Sequence, residues 1–179
     1  MGIELRSLVE DPDHPEIVED GQTFLDNALK KARTISARTG EIVLADDSGL
    51  EVEALAGGPG IHSARYAGEG ADDDANIGKL LSALAGLSPE QRKAAFRCVL
   101  VLYRPDGTFE SFEGRWEGRI AVAPAGEEGF GYDPIFFLPE KGVTVAELPS
   151  AVKNGISHRA LAFAKLKAHL AATLENNGA

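Results

Sequence analysis

Leu44-Ala45-Asp46-Asp47-Ser48-Gly49-Leu50 is the stretch on which the fold depends. An apolar run from Ile42 to Ala45 stops at two adjacent carboxylates. A hydroxyl residue and a glycine follow, and a second strand-like run covers Leu50 to Leu55. The pattern predicts two strands joined by a turn, with the aspartates at a strand end, where neighbouring side chains point in different directions. One aspartate then supports the turn while the other faces open space. Carboxylates so placed suit a hard divalent cation or the activation of water. Asp, Ser and Gly are equally the residues of an ordinary capped turn. By itself the stretch leaves both readings open.

On its N-terminal side, Phe24, Leu25, Ala28, Leu29, Ala32 and Ile35 recur at helical spacing and predict a helix over Thr23 to Thr39, stopped by Gly40. Ahead of it, Ile3 to Leu8 reads as a short strand and Val9 to Gly21 as an acidic, proline-bearing loop. On its C-terminal side, Gly57-Gly58-Pro59-Gly60 is a stiffened loop leading to Ile61-His62-Ser63-Ala64-Arg65-Tyr66. A second helix is expected over Asp73 to Ala85. Ala94 to Tyr103 and Thr108 to Trp116 then form a hairpin about Pro105-Asp106-Gly107, with strand character continuing over Arg119 to Ala123. Gly126 to Gly131 is a glycine-rich loop before the apolar run Ile135-Phe136-Phe137. A last helix covers Ser157 to Leu174, with Leu161, Ala164, Leu166, Ala168 and Leu170 as its apolar positions. Helices alternating with strands, plus one hairpin, predict an α/β fold with a mixed sheet. Nothing in the pattern marks a linker, so residues 1–179 read as a single domain.

The bulk properties narrow the function. Eighteen Lys and Arg stand against 28 Asp and Glu, a formal charge of −10, which argues against coating nucleic acid or an anionic membrane. Cys98 is the only cysteine, so a reduced, cytoplasmic setting fits best. No apolar stretch approaches membrane-spanning length, and the first residues carry no signal-peptide pattern. There is no Gly-x-x-x-x-Gly-Lys-Ser/Thr loop and no Gly-x-Ser-x-Gly elbow, and the four histidines lack zinc-like pairing. Hydrolytic metal chemistry on a phosphorylated small molecule survives this sorting.

Four further segments could serve such a substrate. Glu19 and Asp20 precede the first helix, where acids also favour a helix start. Lys31 shares a helix face with Phe24, Ala28 and Ile35, so it is flanked by core positions. Lys153-Asn154-Gly155-Ile156-Ser157-His158-Arg159 sets three potential cations at a helix start; it can hold phosphate, or be a polar loop with Ser157 as N-cap. Phe130-Gly131-Tyr132-Asp133-Pro134 offers aromatic surface and a carboxylate for a purine base, or core residues about a tight turn.

Taken in order, Thr23-Phe24-x-x-Asn27-Ala28 with Lys31-Ala32, Ala45-Asp46-Asp47-Ser48-Gly49-Leu50, Pro59-Gly60-x-x-Ser63-Ala64-Arg65-Tyr66, Gly129-Phe130-Gly131-Tyr132-Asp133-Pro134-Ile135-Phe136 and Lys153-x-x-Ile156-Ser157-His158-Arg159 resemble the inosine triphosphate pyrophosphatase family. The resemblance runs from about Gly2 to about Leu170. It implies an elongated mixed sheet flanked by helices, two lobes with a central cleft, and a homodimer. It also implies magnesium (Mg2+)-dependent hydrolysis of ITP, dITP and XTP to the monophosphate and pyrophosphate. In that resemblance Asp47 matches the catalytic, metal-associated carboxylate and Glu19 a second metal-associated acid. Lys31 matches a phosphate-contacting lysine, and Ser48 a substrate-binding position. Phe130, Gly131, Tyr132 and Asp133 match the base loop, while Lys153, His158 and Arg159 match residues around the base and its 6-oxo group. A Maf-like pyrophosphatase of pyrimidine or modified nucleotides is the rival enzyme, and a nucleotide-binding protein with impaired turnover the rival of another class. Family members usually open with a further strand and a hydroxyl-x-Asn-x-x-Lys phosphate segment, whereas this chain opens at a segment like the family's second strand. A chain extended by that segment is therefore expected to be the more active, and its loss to uncover a sheet edge.

Overall fold

The computed structural model describes residues 4–8, 15 and 17–176. Helix α1, Phe24–Thr39, ends where the sequence predicts and begins one residue later, with Thr23 as its N-cap. Thr23 and Asp26 form a capping box: Thr23 Oγ1 accepts from the Asp26 amide, and the Asp26 carboxylate accepts from the Thr23 amide. Gly40 ends the helix in the left-handed region at φ 69°, which suits a residue without Cβ.

The decisive stretch departs from expectation. Strand β1 runs unbroken over Val43–Val52, straight through Asp46-Asp47-Ser48-Gly49. The two predicted strands are therefore one, and the predicted turn does not exist. The nearest left-handed residues on either side are Gly40 and Ala56, outside the strand, and the backbone stays extended through both aspartates. The polar residues follow the strand period instead: Asp47, Gly49 and Leu50 are buried, while Asp46 and Ser48 are half-buried. Residues 53–55 form a 3₁₀ turn rather than strand.

The remaining elements are strand β2 (Pro59–Gly60), helix α2 (Asp73–Ala83), strands β3 (Lys93–Tyr103), β4 (Phe109–Ile120), β5 (Phe136–Leu138) and β6 (Val143–Thr144), and helices α3 (Ser150–Ile156) and α4 (His158–Asn176). They make an α/β fold whose six-stranded sheet has the order β2-β1-β3-β4-β5-β6. β1 pairs antiparallel with β2 through Leu50 and Glu51, and β5 pairs antiparallel with both β4 and β6. Central β3 is buried along nearly its whole length, as a strand covered on both faces must be, whereas β4 alternates. Helix α3 was not anticipated, and α4 begins one residue after the predicted start. Ser157 separates the two helices; its Oγ accepts from the Ala160 amide, which is the N-cap role. On α4 the buried residues, among those whose side chains are described, are His158, Ala162 and Leu166; of the predicted apolar positions Leu166 is buried and Leu170 half-buried, while Leu161, Ala164 and Ala168 face outward. No strand forms at Glu4–Leu8, and Leu5 is 80% exposed. Ile3 and most of the predicted Val9–Gly21 loop lie outside the described residues.

The chain forms two compact units, neither continuous in sequence. The first comprises the described residues up to Asp47, Val99–Phe112, and the chain from Phe163. Its buried residues include Phe24, Ala28, Ala32 and Ile35 of α1, Val99 and Val101 of β3, and Leu166. The second comprises Ser48–Cys98 and Glu113–Ala162. Its core gathers Leu50, Val52, Leu80, Leu84, Phe96, Trp116, Ile120, Ile135 and Phe136.

Within the second unit Arg92 is buried, and three main-chain carbonyls hold its guanidinium: Leu87 from Nε, Ala121 from Nη1 and Leu84 from Nη2. Only a planar fork reaches all three. Arg92→Lys keeps the charge but loses the fork, and should cost about 1–2 kcal/mol in urea melts. An unchanged midpoint would remove Arg92 from the supports of the fold.

Candidate active site

The first unit places three of the sequence candidates together. Asp47 is buried, and Lys31 Nζ stands 3.3 Å from its Oδ1 and 3.2 Å from Glu19 Oε1. The lysine that shares a face with core residues of α1 thus points at the two acids predicted to work with it. Asp47 Oδ2 accepts a 3.1 Å hydrogen bond from the Asn27 amide, a residue to which the sequence reading assigned no role. Asp20, by contrast, pairs with Lys30 on the surface, 2.5 Å apart. Asp46 directly precedes Asp47 on the same strand and so takes the opposite face.

Burial pushes the Asp47 carboxyl above the usual carboxylate range; the Lys31 ammonium and the Asn27 amide pull it back, and the charge of Glu19 raises it again. In the chelated protein Asp47 should therefore titrate above its ordinary 3.8, as followed by carboxyl-carbon NMR. The sign for stability follows from linkage. A carboxyl whose folded pKa is raised stabilises fully below its unfolded pKa, and that contribution is lost as pH rises through the folded value. A titration at or below the ordinary value would show that Lys31 outweighs burial.

The second unit holds the other candidates around one cavity of about 220 Å³. Ser48, Phe130, Gly131, Tyr132, Asp133, Lys153, His158 and Arg159 all line it. Phe130 is 61% exposed, with Lys153 Nζ 4.2 Å and the Arg159 guanidinium carbon 5.8 Å from its ring centre. Such cation–π contacts orient an aromatic face that would otherwise be free to turn. Asp133 is buried; its Oδ2 accepts from the Phe130 amide at 3.0 Å and pairs with Lys153. Its carboxylate shapes the loop and aims the lysine. Gly129, at φ 86°, leaves the room this needs, because a Cβ there would overlap Asp133 Oδ2.

Tyr132 is buried and donates its hydroxyl to the Ser63 carbonyl at 2.8 Å, and burial holds its pKa far above the usual range, so it stays protonated. The ring lines the cavity while the hydroxyl anchors the loop. Ser63 also accepts from the Leu50 amide at 2.8 Å and donates to the Gly60 carbonyl at 2.6 Å. His158 is buried and stacks on Phe96, with ring centres 4.9 Å apart and planes 20° apart. Phe96 and Asp73 line the cavity too, and Asp73 accepts from the Gly131 amide at 2.6 Å. Nothing in the sequence singled these two out, since Phe96 reads as core and Asp73 as a helix start.

The donor set can be weighed for a divalent cation. Among the described residues no three acidic, histidine or cysteine side chains are grouped as a metal cage. Two carboxylates converging on one ammonium do suit magnesium, which binds through one or two carboxylates, waters and substrate phosphates rather than a full protein cage. The residues present fit a cation that arrives with a phosphorylated substrate.

A sequence model of the Ham1 family matches residues 1–169. A Geobacter sulfurreducens protein named dITP/XTP pyrophosphatase is 55% identical over 93% of this chain and 83% of its own length. The Ham1 protein of Staphylococcus aureus superposes with a TM-score of 0.85 at 46% identity, over 90% of this chain and 83% of that one. A nucleoside-triphosphatase, dITP/XTP pyrophosphatase, from Mycobacterium abscessus gives 0.79 at 47% identity, over 92% and 84%.

Proposed function

This chain belongs to the Ham1 family, and on that premise we propose that it hydrolyses deaminated purine nucleoside triphosphates (ITP, dITP and XTP) to the monophosphate and pyrophosphate. The observation that carries the reading is the cavity around Phe130, where an exposed aromatic face meets two cations. A 6-oxo group accepts hydrogen bonds where the adenine amino group donates. Lys153, His158 and Arg159, all lining that cavity, can donate to the former and reject the latter. Ser48 follows Asp47 directly in β1 and contacts the nucleotide on the cavity side.

At the phosphate end, Lys31 binds phosphate oxygens. The ionised Asp47 orients the attacking water and takes its proton, a task for which a raised pKa makes a carboxylate the better base. Glu19 and Asp47 would hold magnesium, which would supply charge neutralisation at the phosphates. Attack at the α-phosphate makes pyrophosphate the leaving group. The family resemblance supports a homodimer, and the single Cys98 supports a reduced, cytoplasmic setting. Among the described residues no helix is long and apolar enough to cross a membrane.

Product analysis on ITP should yield monophosphate and pyrophosphate. Diphosphate with inorganic phosphate would overturn the reaction. A nucleotide panel should rank ITP and XTP above ATP and UTP, and His158→Ala and Arg159→Ala should flatten that ranking by about tenfold or more each. A preference for UTP would favour the pyrimidine-directed alternative.

A further inference from the structure

Given the reading of Asp47 and Glu19 as the carboxylates of the phosphate end, we infer that Asn27 is a positioning residue that locks both to one side chain. Asn27 lies in the first turns of α1, on the buried stripe with Phe24, Ala28 and Ala32, and is completely inaccessible to solvent. A carboxamide there has to find partners for both ends, because an unpaired amide in an apolar setting is costly. Its Oδ1 accepts from the Gly21 amide at 2.8 Å, and its Nδ2 donates to Asp47 Oδ2 at 3.1 Å. The orientation is forced: the Gly21 N–H can only donate and the ionised carboxylate can only accept.

The two bonds tie together segments far apart in sequence. Gly21 stands two residues after Glu19, and the Thr23–Asp26 capping box leaves the Gly21 amide unused. Asn27 takes up that amide and so anchors the backbone carrying Glu19. Its other arm holds the carboxylate oxygen of Asp47 that Lys31 does not face, since Lys31 approaches Oδ1. Lys31 is four residues on, on the same helix face, so two side chains of α1 grip the two oxygens of Asp47. The backbone at 21 comes so close that a Cβ would lie 2.6 Å from Asn27 Oδ1, which is why the approach needs glycine. A hydrophobic residue at 27 would fill the stripe but leave Asp47 Oδ2 without its amide donor and the Gly21 amide without its acceptor, with Lys31 alone linking the two acids.

Two substitutions separate the arms. Asn27→Ala removes both. The near-isosteric Asn27→Asp keeps an acceptor for Gly21 but sets a second carboxyl against Asp47. Per folded molecule, as counted by thermal melts, both should lower kcat on ITP by about 10- to 100-fold, the usual consequence of releasing a ligating or catalytic side chain from its support. KM should stay within about twofold, because the cavity around Phe130 is untouched. Hydrogen exchange at the Gly21 amide provides a readout independent of turnover: Asn27→Ala should speed it at least about tenfold, and Asn27→Asp should leave it protected. A folded Asn27→Asp with near-normal kcat, or Gly21 exchange unmoved by Asn27→Ala, would overturn the inference. If Asn27→Ala does not fold, Asn27→Asp decides alone. If the wild-type protein turns over no purine triphosphate, the proposed function fails, and the exchange experiment still tests whether the clamp exists.

Discussion

Asp47→Asn should lower kcat on ITP by about a thousandfold or more while the protein still folds. The shape is kept and the charge is lost, and removing a general base or an anionic metal ligand costs orders of magnitude in rate. The surroundings sharpen the expectation. Lys31 and Asn27 present donors to the two oxygens of residue 47. An asparagine can offer its carbonyl to only one of them and must turn its own NH2 group on the other. The variant should therefore retain its secondary structure by circular dichroism, with a modest change in melting temperature, and be catalytically silent. Asp46→Asn, on the opposite face of β1, should keep most of the rate. If Asp46→Asn were dead and Asp47→Asn near normal, the roles within the pair would be reversed.

Gly114→Ala should destabilise the second unit through a single added methyl group. Gly114 is buried in β4, and a Cβ there would fall onto the His158 carbonyl and within 2.8 Å of the Ala162 amide. Both are backbone atoms, so no side-chain rotation relieves the overlap, and the start of α4 has to move away from the strand. Overpacking of this kind costs about 1–3 kcal/mol, or a fall in melting temperature of roughly 2–4 °C per kcal/mol for a chain of this size. The same shift displaces His158 and Arg159 from the cavity, so KM for ITP should rise with the loss of stability. Gly155→Ala is the control. It sits in α3 with open space where its Cβ would go, and a helical Gly→Ala change there should be neutral or mildly stabilising. Equal melting temperatures for Gly114→Ala and wild type would refute the claimed contact between α4 and β4.

Much was legible in the chain because it depends on local rules. Helix α1 was legible to within one residue, since apolar positions at helical spacing and a stop at Gly40 are local signals. The β3–β4 hairpin followed from two apolar runs about Pro105-Asp106-Gly107. The amphipathic pattern of α1 marked Lys31 as a charge among core positions, but not its pairing with Glu19 and Asp47. The double aspartate misled for the same reason: Asp, Ser and Gly favour turns when only neighbours count, yet here β3 lies beside β1 in the sheet and the strand continues through them. The buried face of α4 was misjudged because several helical stripes fit an alanine-rich segment, and what packs against it selects one.

Residue types and their order therefore determined the elements, the charge balance and the family resemblance on which the chemistry rests. Only the tertiary structure decided that Asp47 is the buried member of its pair, that Asn27 holds it, that Asp133 and the Tyr132 hydroxyl serve the loop, and that Phe96 backs His158. Apart from the local Asp133–Phe130 bond, each of those outcomes hangs on a partner tens of residues away. Desolvation and hydrogen bonding act on distance in space, which spacing along the chain does not encode.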